Sequence, residues 1–356
     1  MQDISCSVVF ILREGHICPC IYHFLDIEFR LSIVLQAFSV YGNVSVVVLR
    51  SVSEEGEDFV HMLPVRIACR SFCSAISGLS HFEHLLLSQP RLNVVHVQLN
   101  RPDKLNAFNE TFWQEIGDCF SQLAVHPDCR VVVLSGNGRA FCSGMDFDCF
   151  AKLSSVAFNE KLDTGRKAFR LRSLIEKFQE AFTCIEKCPK PVVCSVHGAC
   201  IGAGVDMLCA TDVRYCSTDA YFQIKEVQFG FAPDVGTLQR LPKIVGNHSL
   251  MREVAYTGRR MVAEEALRLG LVSRVFSSSE ESLQSIIKLA EDISSQSPVA
   301  VQGTKLQLNH ARDYPVDLSL YSVANWNMAM LQSEDVKKAT LSMINRSKDP
   351  PSFEPL

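Results

Sequence analysis

The stretch "KPVVCSVHGACIGAGVDMLCATDVRYCSTDAYFQIKEVQFGFAPDVGTLQRLP", residues 190–242, decides the fold. It opens with "KPVVCSVHG" (190–198), a short continuous apolar run of the kind that forms a strand buried on both faces. A glycine-rich turn follows, then "VDMLCATD", and "VRYCS" and "AYFQI" supply two further short strands. Set among these apolar elements are three acids: Asp206, Glu226 and Asp234. Charge is costly to desolvate in such surroundings. Each acid therefore has two readings from the residues alone. Asp206 is a polar helix-turn residue, Glu226 a surface acid after Lys225 and Asp234 a helix N-cap, or the three face one pocket and move protons.

Upstream, the same grammar repeats. "LNVVHVQLN" alternates as a strand and ends at Arg101-Pro102. After Asn109, an N-cap residue type, Phe112, Ile116, Cys119 or Phe120 and Leu123 recur at helical spacing. "RVVVLSG" (130–136) reads as another buried strand, and an amphipathic helix is expected over 165–187. After about residue 248 the pattern is helical, including "AEEALRLG", 280–295 and 317–343. Strand and helix in alternation, then helices alone, describe an α/β core with a helical C-terminal layer.

Two loops share a physical logic. "GNGRAFCSGMD" (136–146) and "HGACIGAGVD" (197–206) each place small residues just past a buried strand, where open α/β sheets bind ligands. Small residues let a ligand approach backbone N–H groups, and two such loops either aim one N–H each at a single carbonyl oxygen or are two ordinary turns with close helix–strand packing. "GACIGAG" is not the G-x-G-x-x-G of a dinucleotide fold, a Walker loop is absent, and "FCSGMD" lacks the G-x-S-x-G elbow. Cys142 would serve as a thiolate only with a base beside it.

These stretches, with "LNRPDKLNAF", "GRAFCSGMDF" and "EALRLGLVSRVF", resemble the enoyl-CoA hydratase/isomerase (crotonase) superfamily over about residues 92–345. The resemblance implies a crotonase-type ββα spiral core with a C-terminal helical trimerisation region, assembled as a homotrimer or homohexamer. It implies an acyl-CoA thioester substrate whose carbonyl sits between the N–H groups of Met145 and Ala203. Ser143, Gly144, Asp146, Phe147 and Gly204 go with them into the expected acyl-CoA pocket. Family members usually carry glycine where Ala203 stands, and an alanine leaves the N–H available. Asp206 and Glu226 occupy the places of the two hydratase glutamates. Asp234 stands where ordinary hydratases have glycine, and that third acid is similar to the Δ3,5-Δ2,4-dienoyl-CoA isomerases. Two departures are Gln228, where an acid is usual, and Pro233, where a small residue is usual.

The implied reaction moves one proton off C2 and another onto C6, with no metal or redox cofactor. Glu226 is expected at C2, Asp234 at C6 and Asp206 as a supporting carboxylate. A hydratase, a Δ3,Δ2-enoyl-CoA isomerase and an inactive crotonase-fold assembly protein remain alternatives. The expected division is an atypical segment 1–91, a core 92–270 carrying the site, and a helical oligomerisation region 271–356.

Composition sets the remaining bounds. A chain of 356 residues with 47% hydrophobic and 21% charged residues builds a sizeable core. A net charge of −4 shows no basic excess, which makes nucleic acid a poor default partner. Fifteen cysteines, an odd count with no C-x-x-C pair and none beyond Cys216, read as reduced thiols. His197 with Cys194 and Cys200 is too thin a cluster for zinc. The uncharged run 31–49 has the length of a membrane span, but Gln36, Gly42, Asn43 and three serines dilute it, and buried strands are the preferred reading. "SVSEEGEDF" (51–59) reads as a solvated linker. The acid-bearing first thirty residues make a poor presequence, and the C-terminal "SFEPL" is not a peroxisomal S-K-L signal. The resemblance points to mitochondria, with peroxisomes as the second site.

Overall fold

Alternation along the strands explains the layers. A computed structural model describes residues 78–347 and 350–356, and within the first 77 only the backbone of five short strands. We number the elements from the first strand after residue 77. The antiparallel pair β1 (Leu85–Arg91) and β2 (Val94–Leu99) leads to α1 (Glu110–Val125) and β3 (Val131–Gly136). Asn109 caps α1 as expected, its side chain accepting the Phe112 N–H at 2.8 Å. Then come α2 (Phe147–Ala157), α3 (Thr164–Lys187), β4 (Val192–Val196), β5 (Ala199–Ile201) and α4 (Ala203–Cys209). Next are β6 (Val213–Ser217), β7 (Tyr221–Gln223), a single 3-10 turn over Glu226–Phe229, α5 (Thr237–Ile244) and α6 (His248–Thr257). Two short strands, β8 (Met261–Val262) and β9 (Arg274–Phe276), flank α7 (Ala263–Leu269). Four helices close the chain: α8 (Ser279–Ser294), α9 (Pro298–Asp313), α10 (Val316–Met330) and α11 (Glu334–Ile344).

The large sheet runs β9-β6-β4-β3-β2-β1, parallel except for the β1–β2 hairpin. Its central strands β3 and β4 are buried at every residue. Successive side chains point to opposite faces. On β3, Val131 and Val133 meet Ile286, Ile287 and Ala290 of α8, whereas Val132 and Leu134 join the main core. That main core holds an aromatic nest in which Phe108 stacks on Phe112 at 4.4 Å and Trp113 lies 4.6 Å from Phe178. Nine of the ten free cysteines among the described residues are buried, each packing as a small hydrophobe.

A smaller sheet, β5-β7-β8, lies at the ends of the large one's strands. From β4 the chain passes through β5 into α4, and from β6 through β7 towards α5. This strand–strand–helix repeat is the expected ββα spiral. Cys142, bridged in parallel to Cys200, extends the smaller sheet's path towards β3.

Some expectations needed correction. The run 317–343 is two helices, interrupted after Met330 and restarted by Ser333, whose hydroxyl accepts the Val336 N–H at 3.4 Å. The short strands β8 and β9 interrupt the almost wholly helical stretch expected after residue 248, because two or three residues carry no periodicity. Leu85–Arg91, assigned by sequence to the N-terminal segment, pairs with Val94–Leu99 in the large sheet.

The chain clusters into two units, Met1–Ser71 and Phe72–Leu356. In the first, Val34–Phe38, Ser45–Val52 and Asp58–Val65 form an antiparallel meander. The possible membrane run therefore holds two paired strands, as the preferred reading had it. The linker reading fails at its ends, since Ser51 pairs with Phe59 and Val52 with Asp58; residues 53–57 lie outside the described residues. Leu12–Arg13 pairs with His16–Ile17. Among the described residues no helix is long and apolar enough to cross a membrane.

Candidate active site

The two glycine-rich loops meet. Cys142 N–H donates to Ala199 O and Ile201 N–H to Cys142 O, each at 2.9 Å. One loop continues through Gly144, at φ +100°, and the other through Gly202, at φ +52° and ψ −116°. Only glycine takes such angles cheaply. The approach is close, for a methyl on Gly144 would stand 3.1 Å from Ile201 O and 4.0 Å from Ala203 N.

This geometry leaves two N–H groups unused. Phe108 N–H donates to Gly144 O and Asp146 N–H to Phe108 O, so the bridge passes over Met145 without engaging its N–H. Ala203 is the first residue of α4, where an N–H has no intrahelical acceptor. Among the described residues neither N–H has a backbone acceptor. Two neighbouring free donors are what a developing oxyanion requires.

The three acids gather beside them. Asp206, on α4, is 1% exposed, and its Oδ1 accepts the Thr237 N–H at 2.6 Å. Burial pushes its carboxyl up to about 6 against the hydrogen bonds from Thr237, and Asp234 adds to the rise. Glu226 begins the 3-10 turn, and its Oε1 would lie 3.0 Å from a methyl on Gly202. Burial, then the Asp206 charge, lifts Glu226 to about 7, with Asp234 contributing. Its buried Oε2 has no hydrogen-bond partner among the described residues. Asp234 is half-buried and also raised, by burial. The N-cap alternative for Asp234 fails. Helix α5 starts at Thr237 behind Gly236, with no side-chain cap, and the acid that serves its first N–H is Asp206.

The other expected residues divide. Gly204 packs α4 on the Cys142 strand, where a methyl would lie 3.0 Å from Cys142 Cβ. Ser143 lies beside the Lys104 carbonyl at 3.5 Å, and Phe147 is 83% exposed. Asp146 is committed to the fold, capping α2 through Asp148 N–H and pairing with Arg101 at 3.1 Å. Burial pushes the Cys142 thiol up to about 12, which removes the thiolate option. His197 Nε2 bonds the Gly138 carbonyl at 2.8 Å. Among the described residues no His, Cys, Asp and Glu group is arranged to hold a metal ion. Sequence reasoning missed Arg101 and Thr237, whose roles depend on partners 45 and 31 residues away.

A ββα spiral with two free backbone N–H groups beside clustered carboxylates has the parts for oxyanion stabilisation and proton transfer. The family model for enoyl-CoA hydratase/isomerase matches residues 90–354, and the chain belongs to that family. It is 46% identical over 306 residues to the mitochondrial Delta(3,5)-Delta(2,4)-dienoyl-CoA isomerase of Rattus norvegicus, covering 86% of this chain and 89% of that protein. It is 51% identical over 258 residues to the mitochondrial protein of the same name from Homo sapiens, covering 72% and 78%. The peroxisomal one of Arabidopsis thaliana is 45% identical over 256 residues, covering 72% and 91%. Among solved structures, an enoyl-CoA hydratase subunit of Geobacillus kaustophilus superposes with a TM-score of 0.67 at 29% identity, covering 77% of this chain and 99% of that one.

Proposed function

We propose that this protein isomerises 3,5-dienoyl-CoA to 2,4-dienoyl-CoA in fatty-acid β-oxidation, in mitochondria or peroxisomes. The named relatives at 45 to 51% identity support the reaction and the compartments. The observation that carries it here is Asp234, an acid excused from capping α5 and electrostatically coupled to both Asp206 and Glu226.

In this reading the thioester carbonyl accepts hydrogen bonds from Met145 and Ala203 N–H, which stabilise a dienolate. Glu226, beside the oxyanion turn, takes the proton from C2 while ionised. Asp234 delivers a proton to C6, and the double bonds move from C3 and C5 to C2 and C4. The two carbons are four apart, so one carboxyl does not reach both in a fixed pose. Asp206 tunes the pair, its charge adding to the burial that lifts Glu226 to about 7, where it exchanges protons readily.

We assign the helical region 271–356 to self-association as a homotrimer or homohexamer. A cavity of about 600 Å³ lies among α9, α10 and α11, lined by Leu308, Val323, Trp326, Met330 and Leu331. Leu318, Leu320, Tyr321 and Met328 stand exposed on α10, apolar surface of the kind that marks an interaction site. Light scattering of the purified protein checks this, with a monomer as the contrary result.

The deciding assay follows the ultraviolet absorbance of the conjugated product from 3,5-octadienoyl-CoA. Wild type is expected to be active and Asp234→Asn to lose about a hundredfold or more. Conversion of 2-enoyl-CoA alone identifies a hydratase. Neither conversion, in a folded protein, supports an inactive assembly protein.

A further inference from the structure

The turn that carries Glu226 is tied down at one distant atom. Gly258 ends α6 at φ +61°, and its carbonyl accepts two side-chain amides. Gln223 Nε2 donates at 2.7 Å and Gln228 Nε2 at 2.9 Å. A carbonyl oxygen has two lone pairs, so the pair of glutamines saturates it. The two donors bracket Glu226, one on β7 before it and one inside the same 3-10 turn.

The connection then closes on itself. Gln223 is buried, and its own carbonyl accepts the Gly202 N–H at 2.9 Å. Gly202 is the residue over which Glu226 Oε1 lies. At the other end, a methyl on Gly258 would stand 2.9 Å from Gln228 Cγ and 3.1 Å from Val227 Cγ1, so the turn is packed against the helix end. A single 3-10 turn is a weak scaffold by itself. Its own bonds are Gln228 N–H to Lys225 O, at 2.9 Å, Gly230 N–H to Val227 O, at 3.2 Å, and Phe231 N–H to Glu226 O, at 3.4 Å. Those bonds shape the turn without fixing where it sits.

We infer that Gln223 and Gln228 are positioning residues, which hold the Glu226 carboxylate against the oxyanion turn by sharing the Gly258 carbonyl. Its catalytic consequence rests on the reading of Glu226 as the acid that works at C2. Neither glutamine touches the reacting atoms. Gln228 is exposed at the turn, so its removal tests position with little effect on the core.

The experiment uses the full-length protein and two readouts. Carboxyl NMR on 13C-glutamate-labelled protein, with Glu226→Gln to assign the signal, follows the titration of Glu226. Steady-state kinetics on 3,5-octadienoyl-CoA follows kcat and KM. Gln228→Ala is expected to lower kcat about tenfold with KM within about twofold, as a sub-ångström displacement does. The Glu226 titration should fall from near 7 as the loosened carboxylate reaches water. Gln228→Glu keeps the shape but donates to Gly258 only when protonated, so its kcat relative to wild type should recover as pH falls. An unmoved Glu226 titration in Gln228→Ala, or a Gln228→Glu profile parallel to wild type, overturns the inference. Wild type inert towards the dienoyl thioester overturns the isomerase reading instead, and the titration then decides the positioning role alone.

Discussion

The two sides of the site are built by different means. On the oxyanion side, the loops around Met145 and Ala203 are held by backbone hydrogen bonds, and glycines at 144, 202 and 204 allow close approaches that a larger residue would crowd. On the acid side, residues 226–234 make one short turn and an irregular stretch, with Phe229 54% and Phe231 39% exposed. In the proposed mechanism the first side works through the main chain itself. The second positions charge through side chains reaching far along the sequence: Asp206 to Thr237, and Gln223 and Gln228 to Gly258. The donors need only stay still, whereas the acids must also keep their protons at the right pH.

The sharpest way to break the comparison is to remove charge while keeping shape. Glu226→Gln should cost on the order of a thousandfold in kcat, within the range of general acid–base catalysis, with circular dichroism unchanged. A loss below tenfold would mean that the oxyanion side carries the rate alone.

Asp206→Asn sharpens it further, since an amide oxygen can still accept the Thr237 N–H. Burial raises Asp206 from 3.8 to about 6, so the folded protein binds a proton that the unfolded chain has released. The stability associated with that proton is present at acid pH and is lost as pH rises through this window. At pH 8 the loss amounts to about 3 kcal/mol, from roughly two pKa units at 1.36 kcal/mol each. Urea unfolding at pH 8 should therefore show Asp206→Asn more stable than wild type, and the two converging towards pH 4. The same substitution removes a charge that lifts Glu226, so the Glu226 limb of the kcat profile should move down from about 7.

Gly202→Ala attacks the rigid side. At φ +52° and ψ −116° the new methyl is strained and meets Glu226 Oε1 at 3.0 Å. A loss of about 2 kcal/mol is expected by thermal or chemical unfolding, together with lower kcat. The smallest effect belongs to the exposed rim. Phe229→Ser should cost no more than about 1 kcal/mol in urea, because the side chain is half exposed and its ring meets Phe150, at 5.7 Å.

What could be read beforehand follows the same division. The buried strands, the Asn109 cap and the two glycine loops announce themselves because composition and backbone demand are local. Asp206, Glu226 and Asp234 stood out as costly charges in apolar text, yet their arrangement did not. That Asp206 rather than Asp234 serves α5 depends on a contact across 31 residues. Asp146 looked like a pocket residue by position, and its partner Arg101 lies 45 residues earlier. Nothing local in the sequence marks the Gly258 carbonyl as an anchor, since its two donors lie 35 and 30 residues earlier.

The buried cysteines have a practical consequence. Burial raises thiols such as Cys142 and Cys209 to about 12, and both residues are buried. A thiol reagent can modify them only after the surrounding strands part. Their labelling rate is then a built-in clock for the opening of the core, readable by mass spectrometry at each cysteine without an introduced probe. Substrate bound between the two loops should slow that clock at Cys142 and Cys200, which lie on the bridge joining them.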